Sequence, residues 1–227
     1  MSKILPVIHH LNTVTTLREA YIAFECGADG VFLISHDGQC MDLLEIGPVL
    51  KARHPGSLIG INMLSKNCVD AYDMASEFGF DAVWADHVGV SSIGTTELGN
   101  QLADRMRGRK LMVFGSVAFK YQPVDPYPAV AARVACDMGM IPTTSGVATG
   151  RAPTIEKIAT MSQAVGGSLA VASGMSCENV ADFAPFLSHI LVSTNVSRDD
   201  YHLDAAKLTK FVAIAGHSLA VGKVLEP

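Results

Sequence analysis

A carboxylate and a lysine, each placed among apolar residues, carry the most reactive chemistry in this sequence. Asp86 follows the segment Ala-Val-Trp-Ala, and Lys120 follows Val-Ala-Phe. A carboxylate in such a place can act as a general base, as a nucleophile or as a stabiliser of a cationic transition state. A lysine there can hold an anion or, with its pKa lowered by burial, form a Schiff base. A hydrogen-bonded loop carboxylate and a surface lysine are the plainer alternatives.

Histidines follow several of the apolar segments and are candidates for a second proton carrier. His9 and His10 are adjacent, and adjacent strand residues point to opposite faces, so at most one of them faces a site. We assign the proton-carrying role to His10 or His36. A metal site is the alternative and would need ligands from His9 or His10, His36, Asp37, Asp86 and His87. Because no H-x-H or H-E-x-x-H spacing occurs, we expect no cofactor.

Two Ser-containing dipeptides, Ser173-Gly174 and Ser193-Thr194, follow the last two apolar segments. Glycine allows the backbone to approach an anion, and the N–H groups at a helix start point toward it. We therefore predict a phosphate site at these two dipeptides, with a tight turn as the alternative for Ser173-Gly174. Further substrate contacts are predicted from polar and small residues that follow other apolar segments, namely Asn62, Ser145, Gly146, Thr149 and Gly150.

Short apolar segments alternate with helical ones about every 25–30 residues, which is typical of βα units around a parallel sheet. Eight strands are predicted, at Ile4–Ile8, Val31–Ile34, Leu58–Met63, Ala82–Ala85, Leu111–Phe119, Met138–Thr144, Leu169–Ala172 and Ile190–Val192. Eight strands and eight helices in strict alternation predict a single-domain (β/α)₈ barrel, an α/β TIM barrel over residues 1–227. The polar candidates above follow strand C-terminal ends, where such barrels build their sites.

Three local predictions go with this scheme. Thr16 and Glu19 have capping-box spacing, which predicts that the first helix begins there and stops before Gly27. A helix over Cys177–Phe186, beginning after Ser176, would direct its N-terminus at the phosphate. The fifth strand would continue far enough to place Ser116, Ala118 and Lys120 on one face.

Composition excludes several function classes. A net charge of −5 and a pI near 5.9 argue against a nucleic-acid surface. The five cysteines form no C-x-x-C pair, and the N-terminus has no signal-peptide pattern. No apolar stretch is long enough to span a membrane. We therefore expect a cytoplasmic protein that binds a small molecule, with a homo-oligomer as a possibility.

The segments FECGADGVFLIS, FDAVWADHVG, VFGSVAFKY, TTSGVATGRAPTIEKI and LAVASGMSCENVADF, followed by ILVSTNVSRDDYHLDAAKLTKFV, resemble the BtpA family. These TIM-barrel proteins are similar to ribulose-phosphate-binding barrels. The resemblance implies that the small-residue loops after strands six to eight form the mouth and that Lys120 is the family's strand-five lysine. This sequence departs from the family at Ser193, where a glycine is usual, and at Asp86-His87, where the family usually has an asparagine or glutamate pattern.

These observations together predict an enzyme that acts on a small phosphorylated sugar or a nucleotide-like sugar. Asp86, Lys120, His10 and His36 are its candidate catalytic residues, and isomerase, lyase and glycosidic-bond chemistry all stay open. Two alternatives come from other classes: a non-catalytic barrel that serves assembly or regulation, and a metal-dependent hydrolase. A cavity that contains both Asp86 and Lys120 would favour the enzyme over the assembly factor.

Overall fold

The fold is a closed barrel of eight parallel strands, as the alternation of segments predicts. The computed structural model describes residues 1–36, 38 and 40–222. Around the barrel the strands follow their chain order, and the last pairs with the first. The strands are β1 (Lys3–His9), β2 (Gly30–Ile34), β3 (Leu58–Asn62), β4 (Ala82–Ala85), β5 (Met112–Ser116), β6 (Ile141–Thr144), β7 (Ala170–Ala172) and β8 (His189–Val192).

A helix follows each strand. The helices are α1 (Thr13–Glu25), α2 (Cys40–Arg53), α3 (Cys68–Glu77), α4 (Glu97–Met106), α5 (Pro128–Asp137), α6 (Ile155–Ala164), α7 (Val180–Phe183) and α8 (Ala205–Gly222). A short hairpin that pairs Val90–Ser91 with Gly94–Thr95 lies between β4 and α4. Within the described part of the chain, no helix has the length and apolar character needed to cross a membrane.

The barrel has two apolar layers, because both faces of every strand are covered. One cluster fills the barrel interior, where Phe32 packs edge-on against Phe114 with ring centroids 5.0 Å apart. The second and larger cluster lies between the strands and the helices. A packed interior leaves the working surface to the ends of the strands and the loops that follow them.

The start of α1 differs from the prediction. Asn12, not Thr16, caps this helix, and its side chain accepts a hydrogen bond from the Thr15 N–H. Thr16 and Glu19 lie within the helix and are fully buried. The Glu19 carboxylate accepts the Leu203 N–H at 2.8 Å, so it anchors the distant loop before α8. The sequence therefore has the spacing of a capping box, but the side chains of Thr16 and Glu19 bond to residues outside the helix instead of capping it.

Two further element predictions were wrong. Instead of one helix over Cys177–Phe186, α7 has four residues and continues as a single 3₁₀ turn at Ala184–Phe186. In β5 the strand stops at Ser116, and Ala118 adopts a left-handed backbone with φ of +46°. Lys120 therefore lies on a loop, and the strand alternation that would align Ser116, Ala118 and Lys120 does not reach it.

Candidate functional site

A cavity of about 220 Å³ opens at the C-terminal ends of the strands. Eight of the thirteen predicted site residues line it: His36, Asp86, Lys120, Thr149, Ser173, Gly174, Ser193 and Thr194. The remaining lining residues are Val7, His9, Ile34, Leu64, Trp84, Tyr121, Ala172, Met175, Leu191, Val192 and Asn195. The other five predicted residues lie outside this lining: His10, Asn62, Ser145, Gly146 and Gly150.

Two adjacent loops that line the cavity contain backbone donors without a partner among the described residues. After β7, the N–H groups of Gly174 and Met175 have no hydrogen-bond partner among the described residues; after β8, the same holds for Thr194 and Asn195. The Asn195 side-chain amide donates to the Met175 carbonyl at 3.0 Å and joins the two loops. We call these four residues the anion cradle, because clustered free N–H groups are a common way to bind a phosphate.

The glycines of the mouth serve the packing of the loops against each other. A Cβ on Gly174 would lie 2.3 Å from the backbone nitrogen of Ala152, and one on Gly146 would lie 2.1 Å from the Arg151 carbonyl oxygen. Gly174 therefore lets the loop after β6 approach the loop after β7, and Gly146 lets the loop after β6 fold closely on itself. The predicted role of Gly174 in the approach of an anion stays a prediction, and a side chain there would displace the loop.

Asp86 lines the cavity and is half-buried. The Asn62 side chain donates to its carboxylate at 3.3 Å, which explains the place of Asn62 just outside the lining. Burial raises the pKa of Asp86, and the hydrogen bond from Asn62 and the charge of Lys120 oppose that rise. A carboxyl group whose pKa is raised by burial at a cavity is a candidate for moving protons.

His9, rather than His10, is the β1 histidine that lines the cavity. The His9 and His36 rings lie 4.9 Å apart, and His9 Nε2 lies 3.2 Å from Ser193 Oγ. The pKa of His9 is lowered to about 4, mainly by burial and to a smaller extent by the nearby His36. His9 is therefore neutral at pH 7, and its ring can both donate and accept a hydrogen bond.

His10 points away from the cavity, so the placement predicted for it was wrong. Its Nδ1 lies 2.9 Å from Thr16 Oγ1 on α1, and its Nε2 lies 3.5 Å from a carboxylate oxygen of Asp42 on α2. The alternation argument allowed only one of the two β1 histidines to face the site. The deciding signal was the register of β1, in which Leu5 and Val7 also point inward.

Lys120 belongs to a chain of hydrogen bonds that crosses three mouth loops. Its Nζ donates to Thr149 Oγ1 at 3.2 Å, and the Tyr121 hydroxyl lies 3.4 Å from the same oxygen. The next residue, Gly150, donates its N–H to Ser173 Oγ at 2.9 Å. The predicted residues Lys120, Thr149 and Gly150 therefore connect the loops after β5, β6 and β7.

A half-buried lysine that no sequence pattern singles out holds two of these loops in place. Lys157 Nζ on α6 donates to the carbonyl oxygens of Ala118 at 2.6 Å and Ser145 at 2.8 Å. The Ser145 hydroxyl in turn accepts the Lys120 N–H at 2.8 Å. We call Lys157 and these contacts the lysine clamp. Burial lowers the pKa of Lys157 to about 8.

Backbone strain is concentrated at the mouth. Among the described residues, the non-glycine residues with positive φ are Ala118, Tyr121 and Ser173, and all three lie on loops after β5 or β7. Such conformations cost on the order of 1–3 kcal/mol each and cluster at functional sites. For Ala118, the lysine clamp supplies the contacts that hold the strained backbone.

Trp84, which the sequence suggests is simply a core residue, forms part of the cavity. It points inward from β4, and its indole Nε1 donates to the buried Ser116 hydroxyl at 3.0 Å. The metal alternative finds less support, because no group of three His, Cys, Asp or Glu side chains among the described residues is placed to hold an ion. Asp37, which that alternative included, lies outside the described residues.

Comparison with known proteins supports the fold. No protein-family model and no curated protein matches the sequence. A solved structure described as native KDPGal superimposes with a TM-score of 0.70 at 14% identity and covers 96% of each chain. Thiamine phosphate pyrophosphorylase from Pyrococcus furiosus gives a TM-score of 0.65 at 17% identity and covers 95% of this chain and 96% of its own.

A third similar structure contains a bound sugar phosphate derivative. It is phosphoribosyl anthranilate isomerase in complex with reduced 1-(o-carboxyphenylamino)-1-deoxyribulose 5-phosphate. Its TM-score is 0.66 at 16% identity, and the match covers 95% of this chain and 99% of that one. At such low identities these similarities establish the TIM-barrel fold of the present chain and nothing about its chemistry.

Proposed function

We propose that this protein is an enzyme that acts on a small phosphorylated sugar or a nucleotide-like sugar at the C-terminal mouth of its barrel. One observation carries the proposal: the four residues of the anion cradle, whose N–H groups have no partner among the described residues, line a cavity that also contains Asp86 and Lys120. Loops after the seventh and eighth strands are a frequent phosphate site in TIM barrels. The names of the similar structures, two of which include a phosphate, agree with this proposal.

In this proposal the phosphate lies on the anion cradle, and the reacting carbon lies toward Asp86. The carboxyl group of Asp86 would move a proton to or from the substrate, since its raised pKa keeps the protonated form accessible. Lys120, positioned through Thr149 and Ser145, would orient or polarise a substrate oxygen. His36 stays a candidate proton carrier, and His9 takes the place of His10.

The proposal is favoured over a non-catalytic assembly factor because Asp86 and Lys120 line the same small cavity. Membership of the BtpA family remains a further proposal. It rests on the segments quoted above, and the mouth loops that it implies include both halves of the anion cradle.

Turnover can be tested by following aldose and ketose pentose 5-phosphates, and their N-substituted derivatives, by ³¹P NMR in the presence of the protein. We expect one of these classes to be converted. Asp86→Asn should abolish the conversion while phosphate still binds to the cradle, because the amide removes the proton-carrying group and leaves the cavity shape unchanged.

Glu45→Gln is the matched control, because it makes the same change of a carboxylate to an amide on the exposed surface of α2. It should keep full activity. If inorganic phosphate and all of these phosphates fail to bind, the phosphate site is wrong. If they bind and none is converted, the assembly or regulatory alternative gains support.

A further inference from the structure

We infer, building on the proposed function, that the phosphorylated substrate carries a flat apolar group, aromatic or heteroaromatic, that lies on the cavity floor beside Trp84. The anion cradle holds only the phosphate of such a substrate. The rest of the molecule meets the floor of the cavity, whose side chains offer no free polar atom.

The floor is formed by side chains that point inward from five strands. They are Val7, Ile34, Trp84, Ala172 and Leu191, and each of them is buried and belongs to the interior apolar cluster. Strand alternation places them one step below the residues that carry polar chemistry: Val7 lies below His9, Ile34 below His36, and Trp84 below Asp86. The floor is therefore apolar, and the polar groups form a rim above it.

Two polar side-chain groups beside the floor already have partners. Trp84 uses its only donor, Nε1–H, on Ser116 Oγ, and Asn62 donates to Asp86. A ligand lying on the floor therefore meets the carbon surface of the indole and the aliphatic side chains. Hydroxyl groups of a sugar placed there would lose their water without gaining a partner, which is unfavourable.

A flat apolar group suits these surroundings in two ways. It removes apolar surface of both ligand and floor from water, which is the main favourable contribution to such contacts. It also fits beside aromatic rings, since Trp84 lies in the floor and the His9 and His36 rings lie just above it. The polar rim remains available for the sugar-like part that joins this group to the phosphate.

Trp84 is the only tryptophan in the chain, so its fluorescence reports on this cavity alone. The experiment is a titration of the wild-type protein with inorganic phosphate, ribose 5-phosphate and phenyl phosphate. We expect all three to compete for one site. Phenyl phosphate should bind at least about tenfold more tightly than ribose 5-phosphate and should change the Trp84 emission most.

Val7→Thr gives a second measurement, because it adds a hydroxyl to the floor with little change of side-chain size. The preference for phenyl phosphate over ribose 5-phosphate should fall severalfold in this variant. Val14→Thr, on the exposed surface of α1, is the matched control and should keep the wild-type preference. Should Val7→Thr fail to fold, the wild-type titration decides the question by itself.

The outcomes separate the two proposals. If phosphate and both esters bind but ribose 5-phosphate binds as tightly as phenyl phosphate, the inference about the flat apolar group is overturned and the phosphate site stands. If none of the three compounds binds, the proposed phosphate site is wrong, and the inference that rests on it falls with it. If Val7→Thr leaves the preference unchanged while the protein stays folded, the apolar group does not lie on this floor.

Discussion

The two halves of the mouth contribute differently to the site. In the half formed by the loops after β5 and β6, side chains bond to the backbone: Lys157 donates to the carbonyls of Ala118 and Ser145, and the Ser145 hydroxyl accepts the N–H of Lys120. In the half formed by the loops after β7 and β8, the four N–H groups of the anion cradle have no partner among the described residues.

This difference indicates a division of labour. The hydrogen bonds of Lys157 and Ser145 limit the movement of the loop after β5, so the first half holds Lys120 in position. Donors without partners are costly unless a ligand or water uses them, so the second half is arranged to receive something from outside the chain. Three kinds of variant test this difference between the halves. One removes the lysine clamp, one blocks the anion cradle, and one neutralises Asp86.

The largest effect is expected from Lys157→Met. The change leaves the Ser145 carbonyl oxygen without its donor, and the carbonyl oxygen of the strained Ala118 keeps only the Thr144 hydroxyl as a donor. We expect the free energy of unfolding, measured with urea, to fall by about 3 kcal/mol. Lys51 also bonds to a carbonyl and a carboxylate, but on the surface, so Lys51→Met should cost less than about 1 kcal/mol. Equal losses in the two variants would contradict the clamp.

The same lysine should give the wild type a distinctive pH dependence. Because burial lowers the pKa of Lys157 from 10.5 to about 8, the unfolded chain binds more protons than the folded protein between these two values. The free energy of unfolding should therefore gain a contribution that rises with pH from about 8 toward 10.5. Lys157→Met should lack this rise, and a variant that retains it in full would show that another group is responsible.

A smaller effect, on binding, is expected from Thr194→Glu. Thr194 is exposed, so the new carboxylate would lie beside the cradle without disturbing the core and would repel a phosphate dianion. The affinity for inorganic phosphate, measured by calorimetry, should fall about thirtyfold, or about 2 kcal/mol. Thr194→Gln has nearly the same shape without the charge and should stay within about threefold of the wild type. Unchanged affinity in Thr194→Glu would place the phosphate elsewhere.

The smallest effect is expected from Asp86→Asn on stability. Burial raises the pKa of Asp86, so the folded protein binds this proton more readily than the unfolded chain. The charged form is thus destabilising at neutral pH, and the amide should raise the free energy of unfolding by about 1 kcal/mol at pH 7. The gain should fade as the pH falls toward 3.8, where the unfolded carboxyl group also takes up a proton. A constant gain at all pH values would point to packing instead.

The sequence predicted the parts of this molecule that depend on short-range patterns. Apolar segments at regular spacing predict the eight strands, and the end of each strand predicts which polar residues gather at the mouth. The sequence does not predict contacts between segments that are distant along the chain. Nothing around Lys157 indicates that its amine reaches carbonyls of two other loops, and the spacing of Thr16 and Glu19 fits a cap that tertiary contacts overrule. The choice between His9 and His10 needed a strand register that one segment alone does not define.

The most direct test of the account is the amide NMR spectrum of the protein during a titration with inorganic phosphate. We predict that the N–H signals of Gly174, Met175, Thr194 and Asn195 move together with one affinity, while the signals of Lys120 and Ala118 in the clamped half stay nearly fixed. Shifts confined to the clamped half, or no shift in any of the four cradle amides, would contradict a phosphate site on the loops after β7 and β8.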